Sequence, residues 1–98
     1  MTEVYKQQFA YFGSWCRLLI MDERKYLRRR LGKTLRGLRL RKGFSQLGFA
    51  KAAGIDRSYY AKIEKGTVDI SLTIFRRISK GLGFRLSRLA RVIERILD

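Results

Sequence analysis

Four side chains that can donate hydrogen bonds lie within six positions of the chain, at Arg57, Ser58, Tyr59 and Lys62. A guanidinium such as that of Arg57 can present two parallel donors to the O6 and N7 atoms of guanine. Ser58 can bond to several bases, Tyr59 can contact a thymine methyl group or a phosphate, and Lys62 reaches a base or a phosphate one turn later. Such side chains read DNA when they lie near the N-terminus of a helix and point away from the core. We therefore predict that these four residues read bases, the alternative being ordinary exposed helix residues.

Two short helical patterns over residues 45–66 carry these side chains. Ser45 and Asp56 are suited to cap helix N-termini, because their side-chain oxygens accept from otherwise unpaired backbone N–H groups. Gly54 and Gly66 are suited to helix C-termini, since glycine adopts left-handed backbone angles without steric cost. Two helices joined by a tight glycine turn form a helix-turn-helix, whose second helix can enter the major groove of DNA.

The same stretch, SQLGFAKAAGIDRSYYAKIEKG, resembles a known family. It is similar to the Cro/CI (XRE-type) helix-turn-helix, and the similarity extends outward to roughly residues 31–89. The chain departs from the family at Gly48, where an acidic residue is usual, and at Ile70, where proline is common. Gly48 lowers helix propensity by about 1 kcal/mol without removing a group that touches DNA. The resemblance implies an all-α, five-helix orthogonal bundle of the lambda-repressor-like helix-turn-helix type.

The resemblance also implies roles for residues around the second helix. Gln46 becomes a phosphate clamp at the start of the first helix of the motif, where free backbone N–H groups and the helix dipole also favour an anion. Arg39 and Glu64 become an internal ion pair that ties helix 1 to helix 3. Lys65 and Thr67 follow the second helix of the motif, and we expect them to bind the DNA backbone, which fixes register without reading sequence.

The composition favours an anionic partner. The 98 residues carry a net charge of +15, which suits nucleic acid, with an acidic membrane surface as the competing partner. There is no histidine and a single cysteine, Cys16, so we predict no zinc site and no disulfide within a chain. No nucleophile–base pair or paired carboxylates stand out, and we predict neither enzymatic activity nor a cofactor. No apolar run approaches the ~20 residues that span a bilayer, and the cytoplasm is the expected compartment.

Residues 1–21, called the aromatic segment below, differ from the rest of the chain because they carry little net charge. Five aromatic side chains occur there: Tyr5, Phe9, Tyr11, Phe12 and Trp15. The spacing of Phe9, Phe12 and Cys16 favours a short helix. The segment is either an arm folded onto the domain or a docking segment for a second subunit or another protein. A third alternative is that Met21 is the natural start.

Residues 22–42 are predicted to form helix 1. Leucines recur every three or four positions and predict a buried stripe of Leu27, Leu31, Leu35 and Leu38. The other faces carry basic residues: Arg24, Lys25, Arg28, Arg29, Arg30, Lys33, Arg36, Arg39, Arg41 and Lys42. No acidic residue occurs between Glu23 and Asp56, whereas a solvated helix face usually mixes both signs. We therefore expect part of this helix to lie near phosphates or other anions.

The C-terminal part predicts two more helices, the first capped by Ser71 and the second beginning near Ser87. The inward stripe of the fourth helix is predicted to be Leu72, Phe75, Ile78 and Leu82. The stripe of the fifth is predicted to be Leu86, Leu89, Val92 or Ile93, Ile96 and Leu97. The domain organisation is thus the aromatic segment followed by one helix-turn-helix domain over residues 22–98.

These observations predict a transcriptional regulator, a repressor, that binds specific double-stranded DNA as a homodimer. A single helix-turn-helix reads too few base pairs for useful specificity. Two units related by symmetry lengthen the sequence that is read. Near the chain end, Ile93, Ile96 and Leu97 have few expected partners within the chain, and we predict that they form the dimer interface. One alternative is the antitoxin of a toxin–antitoxin pair, with the aromatic segment as its toxin-binding surface. The other is a membrane-active basic helical protein.

Overall fold

The computed structural model describes residues 23–97, with side chains up to Ile96. These residues form five helices: α1 (residues 23–41), α2 (Gln46–Ala53), α3 (Arg57–Lys65), α4 (Leu72–Leu82) and α5 (Leu86–Leu97). No strand occurs within this range, and the predicted all-α, five-helix architecture is confirmed. The aromatic segment lies outside the described residues, so its roles and the boundary at residue 22 remain predictions. None of the helices in the described range is long and apolar enough to cross a membrane.

Polar side chains and glycines set the helix boundaries where the sequence predicts them. Ser45 Oγ accepts a hydrogen bond from the backbone N–H three residues later, at 3.0 Å. Asp56 and Ser71 cap α3 and α4 in the same way. Gly54 and Gly66 end α2 and α3 with φ angles of 69° and 76°, which side chains with a Cβ rarely adopt. The turn between α2 and α3 is therefore short and fixed at both ends.

The core lies where α2 meets α3 and α4, and α4 in turn packs against α5. Phe49 and Tyr60 are both fully buried at its centre, with ring centroids 5.0 Å apart and ring planes tilted by 50°. The other buried apolar side chains are Leu35, Ala50, Ala53, Ile55, Ile63, Ile78, Leu82 and Leu89. All five helices contribute to this one cluster, and within it α3 packs against α2.

The first member of each predicted apolar stripe is exposed. Leu27 exposes 37% of its surface, Leu72 exposes 74% and Leu86 exposes 38%, so these three inward assignments are wrong. Each residue lies near the N-terminal end of its helix, beyond the part that the core covers. In α4 a small polar residue joins the core instead, because the hydroxyl of buried Ser79 donates to the carbonyl of Arg76 at 2.7 Å.

Two glycines allow α1 to approach the C-terminal end of α3. A Cβ at Gly32 would overlap the carbonyl oxygen of Glu64 and would lie 2.7 Å from that of Ile63. On the α3 side, a Cβ at Gly66 would lie 2.8 Å from Arg29 Cα. Gly32 lies inside α1, where glycine lowers helix propensity. The close packing supplies a reason for glycine at both positions.

Candidate nucleic-acid interface

Three of the four predicted base-reading side chains are exposed on α3. Arg57 and Ser58 occupy its first two positions, and Lys62 lies further along the helix. Behind them, Tyr60 and Ile63 are 0% and 1% exposed. The donors are therefore carried by a helix whose opposite side is anchored in the core, which fixes the positions of their backbone atoms.

Tyr59 is placed differently from the other three. It is half-buried, and its hydroxyl donates to the backbone carbonyl of Asp69 at 2.9 Å. This bond joins α3 to the loop before α4. It engages the phenolic proton within the protein, so that proton is not free to bond to DNA. Base reading by Tyr59 stays a prediction, and in this conformation it would have to use the ring or the oxygen lone pairs.

Asp69 is itself held by α1. Arg28 Nε and Nη2 donate to the two carboxylate oxygens of Asp69, each at 2.8 Å. These hydrogen bonds hold the pKa of Asp69 below its usual range. The sequence gives no sign of this pair, because the two residues lie 41 positions apart. Together with the Tyr59 bond, the pair fixes the loop that follows α3.

Arg39 and Glu64 form a buried ion pair between α1 and α3. Arg39 Nε donates to Glu64 Oε2 at 2.7 Å, and Arg39 Nη2 donates to Oε1 at 3.0 Å. Their side chains are only 9% and 5% exposed. A third donor, Nη1, reaches the carbonyl of Phe44 at 2.9 Å and so ties the turn before α2 to the same group.

The protonation of this pair follows from its contacts. Burial has the largest single effect on the pKa of Glu64 and raises it. The hydrogen bonds and charge of Arg39, together with neighbouring Tyr60 and Gln46, outweigh burial and hold that pKa below its ordinary value. The same hydrogen bonds raise the pKa of Arg39. Both groups are therefore charged at neutral pH. Burial raises the pKa of the neighbouring Tyr60 phenol, which stays neutral.

The predicted phosphate-binding residues lie at two ends of the motif. Gln46 is the first residue of α2, and its amide donates weakly to Glu64 Oε1 at 3.5 Å. Lys65 is exposed at the last position of α3. The hydroxyl of Thr67 donates to the carbonyl of Lys62 at 3.2 Å, which caps α3. Phosphate binding by all three remains a prediction. Thr67 would have to rotate its hydroxyl, because its backbone N–H also donates to the Lys62 carbonyl, at 3.1 Å.

A recess of about 640 Å³ opens between α1, α2 and α3, and we call it the basic recess. Its walls are Lys33, Arg36, Arg39, Gln46, Ala61, Glu64 and Lys65. Since Arg39 and Glu64 neutralise each other, the remaining three cations give the recess its positive charge. Such a surface suits an anion. No group of three metal-ligating side chains comes together within the described residues.

The predicted dimer residues do not form one patch in the monomer. Ile93 lines an apolar groove of about 710 Å³ between α1, the loop before α4 and α5, together with Leu27, Ile70 and Phe75. Ile96 borders a smaller groove of about 250 Å³ between α1 and α5. The side chain of Leu97 lies outside the described part. A single continuous surface on α5 would therefore contain only some of the three predicted interface residues.

Comparison with known proteins places these features in a family. Residues 35–89 match the helix-turn-helix family. The chain is 43% identical over 67 residues to the control protein C.MunI of a Mycoplasma species, covering 67% of this chain and 90% of that protein. It is 48% identical over 52 residues to YqaF, an uncharacterized HTH-type transcriptional regulator of Bacillus subtilis (strain 168), covering 53% of this chain and 68% of that protein.

A solved structure shows the same arrangement of helices. The restriction-modification controller protein C.AhdI from Aeromonas hydrophila matches with a TM-score of 0.59 at 34% identity, covering 62% of this chain and 92% of that chain. The chain belongs to the helix-turn-helix family. It is a transcriptional regulator similar to restriction-modification controller proteins, and the relatives named above are regulators rather than enzymes.

Proposed function

We propose that the chain is a repressor that binds specific double-stranded DNA through α3. The observation that carries this proposal is the exposed row of Arg57, Ser58 and Lys62 on a helix anchored from behind by buried Tyr60 and Ile63. A rigid helix with free donors near its N-terminus is what major-groove reading requires. The similarity to C.AhdI, itself a restriction-modification controller, supports a regulatory role of the same class.

In this proposal, one group of residues reads the base sequence and another binds the phosphate backbone. The side chains on α3 contact base edges, while Gln46, Lys65 and Thr67 contact phosphates on either side. The first-turn N–H groups of α2 and its helix dipole favour a phosphate beside Gln46. The net charge of +15 attracts DNA of any sequence, so the base contacts of α3 must supply the discrimination.

Arg57→Ala is expected to weaken binding to the preferred DNA site by about 1–3 kcal/mol and to relax one base position. Lys65→Ala is the matched control, since it also removes one exposed cation from α3. It should weaken all DNA alike and lower the salt slope by about 1. Binding isotherms on the preferred and on an unrelated duplex measure both effects. If Arg57→Ala leaves the preferred motif unchanged, Arg57 does not read a base.

We also propose that two chains bind DNA together, through α5. The apolar groove that contains Ile93 is bordered by exposed Leu27 and half-buried Phe75, so a second copy could bury apolar surface there. Burial of that surface would favour association. The high positive charge opposes it, so we expect a dimer that is weak in free solution and stabilised on DNA. Ile96 and Leu97 remain candidate members of this interface.

Ile93→Glu is expected to give a monomer that binds an isolated half-site with reduced affinity and without cooperativity. The reason is that a carboxylate in the apolar groove would have to be desolvated in the dimer. Because half-buried Ile93 also packs against the core, a thermal melt must first show that the variant is folded at the assay temperature. Leu40→Glu is the control, because Leu40 is 55% exposed on α1 and does not line the groove. Sedimentation on operator-length duplex counts the chains. Two chains per site with unchanged cooperativity for Ile93→Glu would place the interface elsewhere.

The antitoxin alternative has no support in the described residues. Its proposed toxin-binding surface is the aromatic segment, which lies outside them, and the relatives named above are control or regulatory proteins. The exposed donors on α3 support DNA binding, which both functions share, so the choice between them rests on the relatives.

A further inference from the structure

Three exposed cations, Lys33, Arg36 and Lys65, stand around the basic recess. Within residues 23–96, the ion pairs are those of Arg28 with Asp69 and of Arg39 with Glu64, so none of the three cations is neutralised there. One acidic group, that of Glu64, lines the recess, and Arg39 already occupies both of its oxygens. The recess therefore keeps an excess of positive charge that the described fold does not use.

The packing of α1 against α3 sets the position of these cations. At Gly32 the two backbones approach so closely that a Cβ would overlap the carbonyl of Glu64. The next residue, Lys33, thereby lies beside the C-terminal end of α3. Arg36 follows one turn later on the same helix and lines the recess as well. The pair is fixed relative to α3 by rigid packing rather than by a flexible loop.

The recess also adjoins the surface proposed to contact DNA. Gln46, at the N-terminus of α2, forms one wall, and Ala61 of α3 forms another. The small side chain of Ala61 leaves the recess open next to Lys62, which is exposed on α3. A DNA strand that contacts both α3 and the start of α2 would run past the mouth of the recess.

We propose that Lys33 and Arg36 bind neighbouring phosphates of the DNA strand that runs beside α3, so that α1 contacts the DNA in addition to α2 and α3. This inference rests on the proposed function. The planar guanidinium of Arg36 can give two parallel hydrogen bonds to phosphate oxygens, while Lys33 acts as a point charge. Both contacts add affinity without reading sequence. Lys33 also borders the small groove between α1 and α5.

The first test is the salt dependence of binding by the double variant Lys33→Gln, Arg36→Gln. Each phosphate contact contributes about 0.9 to the slope of log affinity against log salt, so the slope should fall by about 1.8. The fall should be equal on the preferred site and on an unrelated duplex of the same length. The matched control is Arg41→Gln, Arg91→Gln, which removes two exposed cations that do not line the recess. The salt slope of this control variant should equal that of the unmodified protein.

The second test replaces single phosphates of the preferred duplex by uncharged methylphosphonates. The unmodified protein should lose affinity at a pair of neighbouring positions, and the Lys33→Gln, Arg36→Gln variant should be insensitive at those two positions alone. Inorganic phosphate at equal ionic strength should not compete with DNA. Competition by inorganic phosphate that depends on Lys33 and Arg36 would instead identify the recess as a site for the free ion.

The outcomes separate this inference from the proposed function. If the unmodified protein shows no preference for any duplex, sequence-specific binding fails, and the salt slope on the unrelated duplex still decides whether Lys33 and Arg36 bind phosphates. If it prefers a site but the double variant keeps the full salt slope and all methylphosphonate sensitivities, only the role of Lys33 and Arg36 is overturned. An equal fall in slope for the control pair would also overturn it, because the effect would then be one of net charge. Thermal melts of both variants check that the fold is kept.

Discussion

Replacing Arg39 with methionine is expected to lower the free energy of unfolding by about 3–5 kcal/mol. The change leaves the carboxylate of Glu64, only 5% exposed, with one weak donor from Gln46 at 3.5 Å. It also removes the guanidinium bond to the carbonyl of Phe44, which holds the turn before α2. A buried charge without its partner keeps its desolvation cost and loses the compensating attraction. Urea denaturation of both proteins measures the difference.

The double variant Arg39→Met, Glu64→Leu should lose much less stability than Arg39→Met alone, because it removes both charges from the interior. Arg28→Met provides the contrast at an exposed pair, since the side chain of Asp69 is 60% exposed and keeps its contact with water. Its effect on unfolding should be small. Equal losses for Arg39→Met and the double variant would mean that the pair contributes little beyond packing.

Gly66→Ala is expected to cause the other large loss of stability, from two causes. Its φ angle of 76° is left-handed, which costs a residue with a Cβ about 1–2 kcal/mol. The added methyl group would also lie 2.8 Å from Arg29 Cα and 2.9 Å from Arg29 N. Relieving that overlap requires α1 to move away from α3, at a cost of about 1–3 kcal/mol.

Gly83→Ala is the control that separates the two causes. Gly83 ends α4 with a φ angle of 74°, yet a Cβ there would meet nothing within 4 Å. It should show only the loss due to the backbone angle, and thermal or urea unfolding of the two variants gives the difference. If both variants lose the same stability, α1 does not pack against the end of α3 as closely as the distances indicate.

Local signals account for the part of the fold that the sequence predicts. Ser45, Asp56 and Ser71 act on backbone groups within three residues, so their capping roles could be predicted without tertiary information. The same holds for Gly54 and Gly66, which end α2 and α3. The helix-turn-helix is formed by such short-range signals, and for that reason its pattern can be recognised in the chain.

Contacts between distant segments account for the part that could not be predicted from residue spacing. The bond of Tyr59 to the Asp69 carbonyl depends on the path of a loop, and the pair of Arg28 with Asp69 depends on how α1 crosses that loop. Periodicity also assigned Leu72 to the core, although periodicity shows only which face is apolar and not how far the core extends. Gly32 shows the same limit, because its close contact lies on another helix.

The division of roles in the candidate interface has a consequence for specificity. Most of the positive charge lies outside α3. Under the proposed function, we expect this charge to bind DNA of any sequence and to make affinity depend strongly on salt. We expect discrimination between sequences to come from the few exposed donors on α3, chiefly Arg57 and Lys62. Specificity should therefore rise with salt concentration up to the point where binding to the preferred site is itself lost.

Selection of bound sequences from a pool of random duplex DNA tests the proposed function most directly. We expect the protein to enrich a two-fold symmetric motif whose half-sites lie one helical turn apart, about 34 Å between centres. The motif should contain at least one position where guanine is required and where Arg57→Ala removes the requirement. A pool that remains random after repeated selection, with retention that depends only on duplex length and salt, would contradict sequence-specific binding by α3.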